Sequence, residues 1–278
     1  MRIAQVCPYD IGIPGGVQAQ VTGLTRALLR LGHHVDLIAP GRAAPAVSDL
    51  EVLTVGRTVG VRANGSVAPI SPFPRAFVRS WKLERHSDYD VVHLHEPLVP
   101  GPTLALLSRS HTPMVGTFHR SGSSIAYRAA GPVARRLARR LELRCAVSEQ
   151  SARTAAQALG GDYEVVFNGV EVDRYARAAP WPSSAPTVAF VGRHEERKGL
   201  AVLLDALDSL PVGTHVWIMG EGPETKRLRR GVGDRAGVEW IGVTDEAEKV
   251  ARLRGADVVC VPSLFGEAFG VVLLEAMA

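Results

Sequence analysis

The sequence predicts an α/β protein made of two successive doubly wound domains, the second of them incomplete. Three observations lead there. Short apolar, strand-like runs alternate with amphipathic helical patterns along the chain, which argues for mainly parallel sheets covered on both faces. The alternation breaks at Ala176–Pro186, ARAAPWPSSAP, and then restarts. The length of 278 residues suits about two domains at roughly 100–200 residues each.

Arg2–Cys7 reads as a buried strand, Pro14-Gly15-Gly16 as a turn and Val17–Leu31 as a helix, which together open a βαβ unit. Strands are expected at Val35–Ala39, Val91–His95, Met114–Phe118, Cys145–Val147 and Glu164–Phe167. Helices are expected around Phe77–Arg85, Thr103–Ser108, Ile125–Leu141 and Gln150–Leu159. The first domain then covers 1–175, the proline-rich linker 176–186 and the second domain 187–278. In the second domain, strands at Thr187–Val191, His215–Met219, Val238–Ile241 and Val258–Val261 alternate with helices at Leu200–Leu207, Glu224–Arg230, Glu246–Leu253 and from Gly270 onward. This last helix pattern runs to Ala278 with no Gly or Pro stop signal, so further strands of the second sheet are expected beyond it.

Composition narrows the class. Hydrophobic residues at 46% and charged residues at 22% are ordinary for a globular protein. No apolar run approaches the roughly 20 residues of a membrane span, and Met1–Cys7 leads into a polar turn instead of a signal-peptide core. The expected location is cytoplasmic, with peripheral attachment to the inner face of the plasma membrane. Cys7, Cys145 and Cys260 lie far apart in strand-like runs and read as reduced core thiols, without disulfide or metal spacing. A formal charge of +4 and a pI near 9.2 permit an acidic partner.

Several stretches carry candidate chemistry. In FGEAFGVVLLEAMA, Glu267 stands in a glycine-flanked turn and Glu275 about two turns into the following helix. The backbone at Phe269 and Gly270 and the helix dipole favour an anion, and the carboxylates can accept from hydroxyls, a pairing that suits a nucleotide-sugar. GRHEERKG, 192–199, places Arg193 and Lys198 at a strand's carboxyl end, where a diphosphate would lie; a solvated charged loop is the competing reading. Gly15 and Gly16 in YDIGIPGGVQ allow close backbone approach to a phosphate. That turn is not Gly-x-Gly-x-x-Gly, which counts against a nicotinamide enzyme.

His93 and His95 share a strand face and could join His119 in a zinc site, although no helical pair or acidic ligand completes the set. A sugar-contacting histidine in a cleft is the stronger reading. Arg128, Arg135, Arg136, Arg139 and Arg140 concentrate positive charge, the last four on one helix face opposite Ala134, Leu137, Ala138 and Leu141. They read either as an ordinary surface or as a site for anionic lipid headgroups. Nucleic acid is not expected, because aromatic residues do not interleave with these arginines.

Taken together, GGVQ, HLHEP, TFH, NGV, GRHEERKG and the Glu-x7-Glu of GEAFGVVLLE resemble, in order and spacing, the retaining glycosyltransferases of GT-B architecture, family 4 type, with two Rossmann-like domains. VCPYDIGIPGGVQ, ANGSVAPI and HLHEPLVP are most similar to the phosphatidylinositol mannosyltransferases that use GDP-mannose; Pro69 and Arg120 depart from that subgroup. The resemblance implies transfer of a hexose from a nucleoside diphosphate to an acceptor hydroxyl, with no tightly bound cofactor and no motif requiring a divalent metal. By this analogy Gly16, Arg193 and Lys198 face the departing diphosphate, Glu267 the transferred sugar and Glu275 the ribose. His119 lies beside the reacting centre, with Tyr9, Gln18 and Asn64 near an inositol headgroup. The alternatives are a noncatalytic nucleotide-sugar-binding fragment and, more remotely, a metal-dependent hydrolase.

Overall fold

The computed structural model of the chain describes residues 1–41, 49–63, 66–122 and 131–278. They divide into two compact units, Met1–Gly169 and Val170–Ala278.

The first unit is built on a parallel sheet of β1 (Arg2–Val6), β2 (His34–Ala39), β3 (Val52–Thr54), β6 (Val91–His95), β7 (Met114–Phe118), β8 (Leu143–Ala146) and β9 (Glu164–Val165), in the order β3-β2-β1-β6-β7-β8-β9. Strand order reverses between β1 and β6. Loops leaving those carboxyl ends therefore diverge, and a crevice for a ligand opens there. An antiparallel hairpin of β4 (Val59–Ala63) and β5 (Ser66–Ile70) stands apart from the sheet. It docks on the loop after β1, where Asp10 N donates to Pro69 O at 3.0 Å and Tyr9 bridges Ile70.

Helices α1 (Gly16–Arg30), α2 (Pro74–Arg85), α3 (Pro102–Arg109), α4 (Gly131–Ala138) and α5 (Glu149–Leu159) cover this sheet. The core gathers Val6, Ile38, Val92, Leu94, Leu106, Leu107, Phe118 and Leu141. Apolar runs in β1, β6 and β7 are thus buried from both sides, as a parallel sheet requires. Cys7 and Cys145 are buried and Cys260 half-buried, all as free thiols.

The second unit begins with α6 (Val172–Ala176) and continues through β10 (Thr187–Val191), α7 (Leu200–Asp205), β11 (His215–Met219), α8 (Thr225–Val232), β12 (Val238–Gly242), α9 (Glu246–Gly255), β13 (Val258–Val259) and α10 (Val271–Met277). Its parallel sheet runs β12-β11-β10-β13, with the reversal between β10 and β13. Phe190, Leu200, Leu203, Val216, Ile218 and Leu228 fill its core.

The expected linker at 176–186 is corrected by this division, which falls ahead of it. Tyr175 is buried against Val250 and Leu253 of α9, so α6 belongs to the second unit. Trp181 N donates to Ala251 O at 2.8 Å, and the Arg252 guanidinium lies 4.3 Å from the Trp181 ring and 5.0 Å from that of Trp217. The prolines of ARAAPWPSSAP therefore stiffen a strap bound to the second unit. The strands expected at Glu164–Phe167 and Val258–Val261 are each two residues long.

Candidate active site

At the switch point of the first unit, five polar side chains, those of Gln5, His93, His95, Thr117 and His119, gather in and just after β1, β6 and β7. Gln5, in the middle of β1, is 1% exposed; His95 at the end of β6 is equally buried, and His119 after β7 is 8% exposed. They form one hydrogen-bonded chain. Gln5 Nε2 meets His93 Nδ1 at 3.2 Å, Gln5 Oε1 meets His95 Nε2 at 2.9 Å, and His95 Nδ1 meets His119 Nε2 at 2.9 Å. His93 Nε2 reaches Thr117 Oγ1 at 2.7 Å.

Burial lowers the His93 pKa to about 4 and, with charge repulsion from His93, that of His119 to about 3; His95 falls well below the usual histidine value for the same reasons. All three rings are therefore neutral at pH 7. The bonded ring nitrogens point at each other and at Gln5 and Thr117. Among the described residues no group of three or more His, Cys, Asp or Glu is placed to hold a metal ion.

The His119 backbone is fixed as well, since its N–H donates to Glu96 Oε1 at 2.6 Å. Glu96 is 3% exposed and holds φ at +48°, a left-handed conformation that a side chain rarely adopts without a compensating interaction.

The turn before α1 is open at the helix end. Gly15 is the N-cap and makes no side-chain cap, so first-turn N–H groups remain directed out of the helix. Gln18, in that turn, is buried and its Nε2 approaches Asp10 O at 3.4 Å. Burial raises the Tyr9 hydroxyl far above its ordinary value, which keeps it a neutral donor. Asn64 lies outside the described residues.

In the second unit, the loop after β10 carries GRHEERKG and ends in a 3-10 turn, Glu196–Lys198. Lys198 Nζ is bonded to Glu267 Oε2, which also accepts from Ser263 Oγ at 3.0 Å. Although burial opposes ionisation of Glu267, its bonds to Lys198 and Ser263 and the nearby Arg197 charge hold its pKa below the carboxylate norm. Two glycines let these loops meet. Gly199 has φ +68°, and a Cβ on it would strike the Pro262 carbonyl, while Leu264 N donates to Arg197 O at 2.9 Å. Gly220 has φ +111°, and a Cβ there would strike the Gly192 carbonyl. Arg193, beside Glu195 at 3.2 Å, keeps 38% of its side chain exposed. Of the predicted set, the structure brings Lys198 and Glu267 into direct contact, with Phe269 and Gly270 following on the same loop.

Glu275 lies in α10 and has a cationic partner. It is 6% exposed and its Oε1 pairs with Lys249 Nζ at 2.9 Å, with Lys249 also 2.8 Å from Glu246. Lys249 was not singled out from the sequence. Its position one turn past the start of α9 gave no cue, because its partner lies on another helix.

The predicted arginines, Arg135, Arg136, Arg139 and Arg140, are all exposed, but the helix expected to carry them is shorter. Helix α4 ends at Ala138, so Arg139 and Arg140 lie in the following turn. Arg135 Nε donates to Ala158 O at 3.1 Å and Arg140 Nη2 to Ser110 O at 2.6 Å, so both serve as ties to backbone carbonyls. Arg136 and Arg139 are exposed, and Arg128 lies outside the described residues. A basic face missed in the sequence lies on α2, where Arg75, Arg79 and Lys82 line a groove of about 390 Å³ with Pro74 and Val78. Its i, i+4, i+7 spacing was the available signal. Among the described residues no helix is long and apolar enough to cross a membrane.

Two parallel α/β units, with polar side chains gathered where strand order reverses, define a sugar-transferring enzyme of the GT-B fold once set beside known proteins. The family model Glycosyltransferase Family 4 matches residues 14–174, and Glycosyl transferases group 1 matches residues 171–278. The chain belongs to glycosyltransferase family 4. It is 39% identical over 287 residues to the phosphatidyl-myo-inositol mannosyltransferase of Mycobacterium tuberculosis, covering 100% of this chain and 75% of that protein. The mannosyltransferase of the same name from Propionibacterium freudenreichii is 37% identical over 295 residues, with 100% of this chain and 75% of that protein covered. Among solved structures, Anabaena HepE in complex with UDP and glucose superposes with a TM-score of 0.72 at 19% identity, covering 100% of this chain and 78% of that one. This last likeness concerns the fold.

Proposed function

We propose that the protein transfers mannose from GDP-mannose to a hydroxyl of the inositol ring of phosphatidylinositol, with retention at the anomeric carbon. The observation that carries this is the 39% identity, along the whole chain, to a phosphatidyl-myo-inositol mannosyltransferase.

The geometry supports a division of labour. As the bond from the anomeric carbon to the diphosphate breaks, negative charge grows on the leaving oxygen, and Arg193 and Lys198 stabilise it. A diphosphate competes with Glu267 for the Lys198 ammonium, which leaves the carboxylate to accept from sugar hydroxyls. Phe269 and Gly270 supply backbone to the same donor, and Glu275, held by Lys249, accepts from the ribose. Neutral His119 faces the acceptor hydroxyl, and Tyr9, Gln18 and Asn64 surround the inositol ring. Exposed Arg136 and Arg139 and the basic face of α2 attract an anionic bilayer, at roughly 1 kcal/mol per side chain near its surface.

Incubation with labelled GDP-mannose and phosphatidylinositol vesicles gives lipid-linked mannose. Hydrolysis of the donor without lipid labelling, or equal transfer from UDP-glucose, overturns the assignment.

A further inference from the structure

The core of the first unit contains a buried amide with no packing reason to be there. Gln5 occupies the centre of β1, between β2 and β6, at 1% exposure. An apolar residue would fill that place without the cost of desolvating an amide. What the amide has, and an apolar side chain lacks, is direction: an acceptor oxygen at one end and a donor NH2 at the other.

We propose that Gln5, His93 and His95 are positioning residues that lock His119 in one neutral tautomer, with hydrogen on Nε2 and a bare lone pair on Nδ1, so that His119 meets the acceptor hydroxyl as a hydrogen-bond acceptor. The role of that hydroxyl rests on the mannosyltransferase reading; the tautomer does not.

With Gln5 Oε1 facing His95 and Gln5 Nε2 facing His93, the bonds assign the tautomers step by step. Gln5 Oε1 only accepts, so the His95 nitrogen 2.9 Å away, Nε2, carries the hydrogen. In a neutral ring His95 Nδ1 is then the acceptor, and its partner at 2.9 Å, His119 Nε2, must be the donor. That leaves His119 Nδ1 as a lone pair outside the chain of bonds. At the other end, the Gln5 NH2 donates to His93 Nδ1, and His93 Nε2 donates to Thr117 Oγ1.

Stacking of the His93 and His95 rings, with centroids 4.3 Å apart, keeps both in register with the amide. Adding a proton to His95 would set two N–H groups against each other across the His95–His119 bond. In this amide orientation the network disfavours the charged ring and selects the Nε2–H form of His119. Glu96 holds the backbone of the same residue, so ring and main chain are fixed by separate partners.

Long-range ¹H–¹⁵N NMR of the ligand-free protein distinguishes a protonated Nε2 from a protonated Nδ1, and His119 is expected as the Nε2–H form. Gln5→Met removes the directing amide and yields a mixture of the two forms. Gln5→Glu keeps an acceptor for His95 Nε2–H and retains the single form. In the transfer assay, Gln5→Met lowers kcat by about tenfold or more, on the scale of partners that orient a reactive group, with KM for GDP-mannose unchanged, and Gln5→Glu recovers part of it. A wild-type His119 protonated on Nδ1, or a tautomer ratio unmoved by Gln5→Met, overturns the proposal. The NMR arm needs no substrate and no variant for its first result. If the wild-type protein transfers no mannose, the functional reading falls, and the tautomer still decides this inference.

Discussion

The two units hold polar side chains at the same place, the carboxyl ends of a parallel sheet where strand order reverses, by opposite means. The first unit uses neutral groups, with Gln5, three imidazoles and Thr117 bonded in a row. The second uses charge: Lys198 with Glu267, Lys249 with Glu275, and Glu195 between Arg193 and Arg197. Under the proposed function, the difference follows from what each end would recognise. A hydroxyl is oriented by directed donors and acceptors, which burial preserves. A diphosphate is held by cations, which must be kept ionised and therefore paired until it arrives.

The strongest way to break this contrast is to neutralise the charged end. Lys198→Met should lower kcat/KM for the donor by about 10²–10³-fold, the scale seen when one stabilising donor is removed from a developing charge. Glu267→Gln should depress kcat while GDP affinity by calorimetry stays near wild type. Kinetics untouched by both changes would mean that the loops after β10 and β13 are not the donor site.

A second test uses acid. Because the folded pKa of His93 is about 4 and that of His119 about 3, against 6.5 unfolded, the unfolded chain binds more protons between those values. The stability these neutral rings contribute is complete above about pH 6.5 and is lost as pH falls toward 4. Among the described residues the second unit carries one comparably lowered histidine, His194, at about 4. Glu267, with a depressed pKa, gives up its contribution only below the ordinary carboxylate value of 4.5. Urea unfolding at pH 7 and pH 5, with limited proteolysis to report which unit opens, should show the first unit weakening more. Equal weakening of the two units would remove the electrostatic distinction.

The smallest expected effect is at Arg252, which is paired with Glu239 and Glu248 and flanked by Trp181 and Trp217. Arg252→Met should cost the second unit about 1–2 kcal/mol, since both carboxylates can return to water. Thermal unfolding would register it, and GDP affinity should not change.

Much of this architecture was legible in the sequence. Strands at Val91–His95, Met114–Phe118, Thr187–Val191 and His215–Met219 stand where period and composition place them, because a strand buried on both faces is a continuous apolar run. The proposed site residues His119, Lys198 and Glu267 stand out in the sequence because they adjoin such strands or their loops. The hairpin β4–β5 was missed although Asn64-Gly65 is a turn signal, since its flanking residues alternate weakly. What stayed hidden was pairing across long sequence separations. Gln5 and His95 lie 90 residues apart and Lys249 and Glu275 lie 26 apart, and no periodicity links them. The arginines differ from the expectation only in backbone: helix α4 ends at Ala138, and Arg139 and Arg140 lie in the turn that follows.

Gly199 and Gly220 mark places where backbones touch, and that contact bears on how the enzyme can be re-engineered. The segment with Arg193 and Lys198 is pressed against one neighbour at Pro262 and another at Gly220, with no side chain between to absorb a shift. A donor-specificity graft that exchanges GRHEERKG alone would import a shape its neighbours cannot follow. The transplantable unit is the set of three loops, after β10, β11 and β13, moved together.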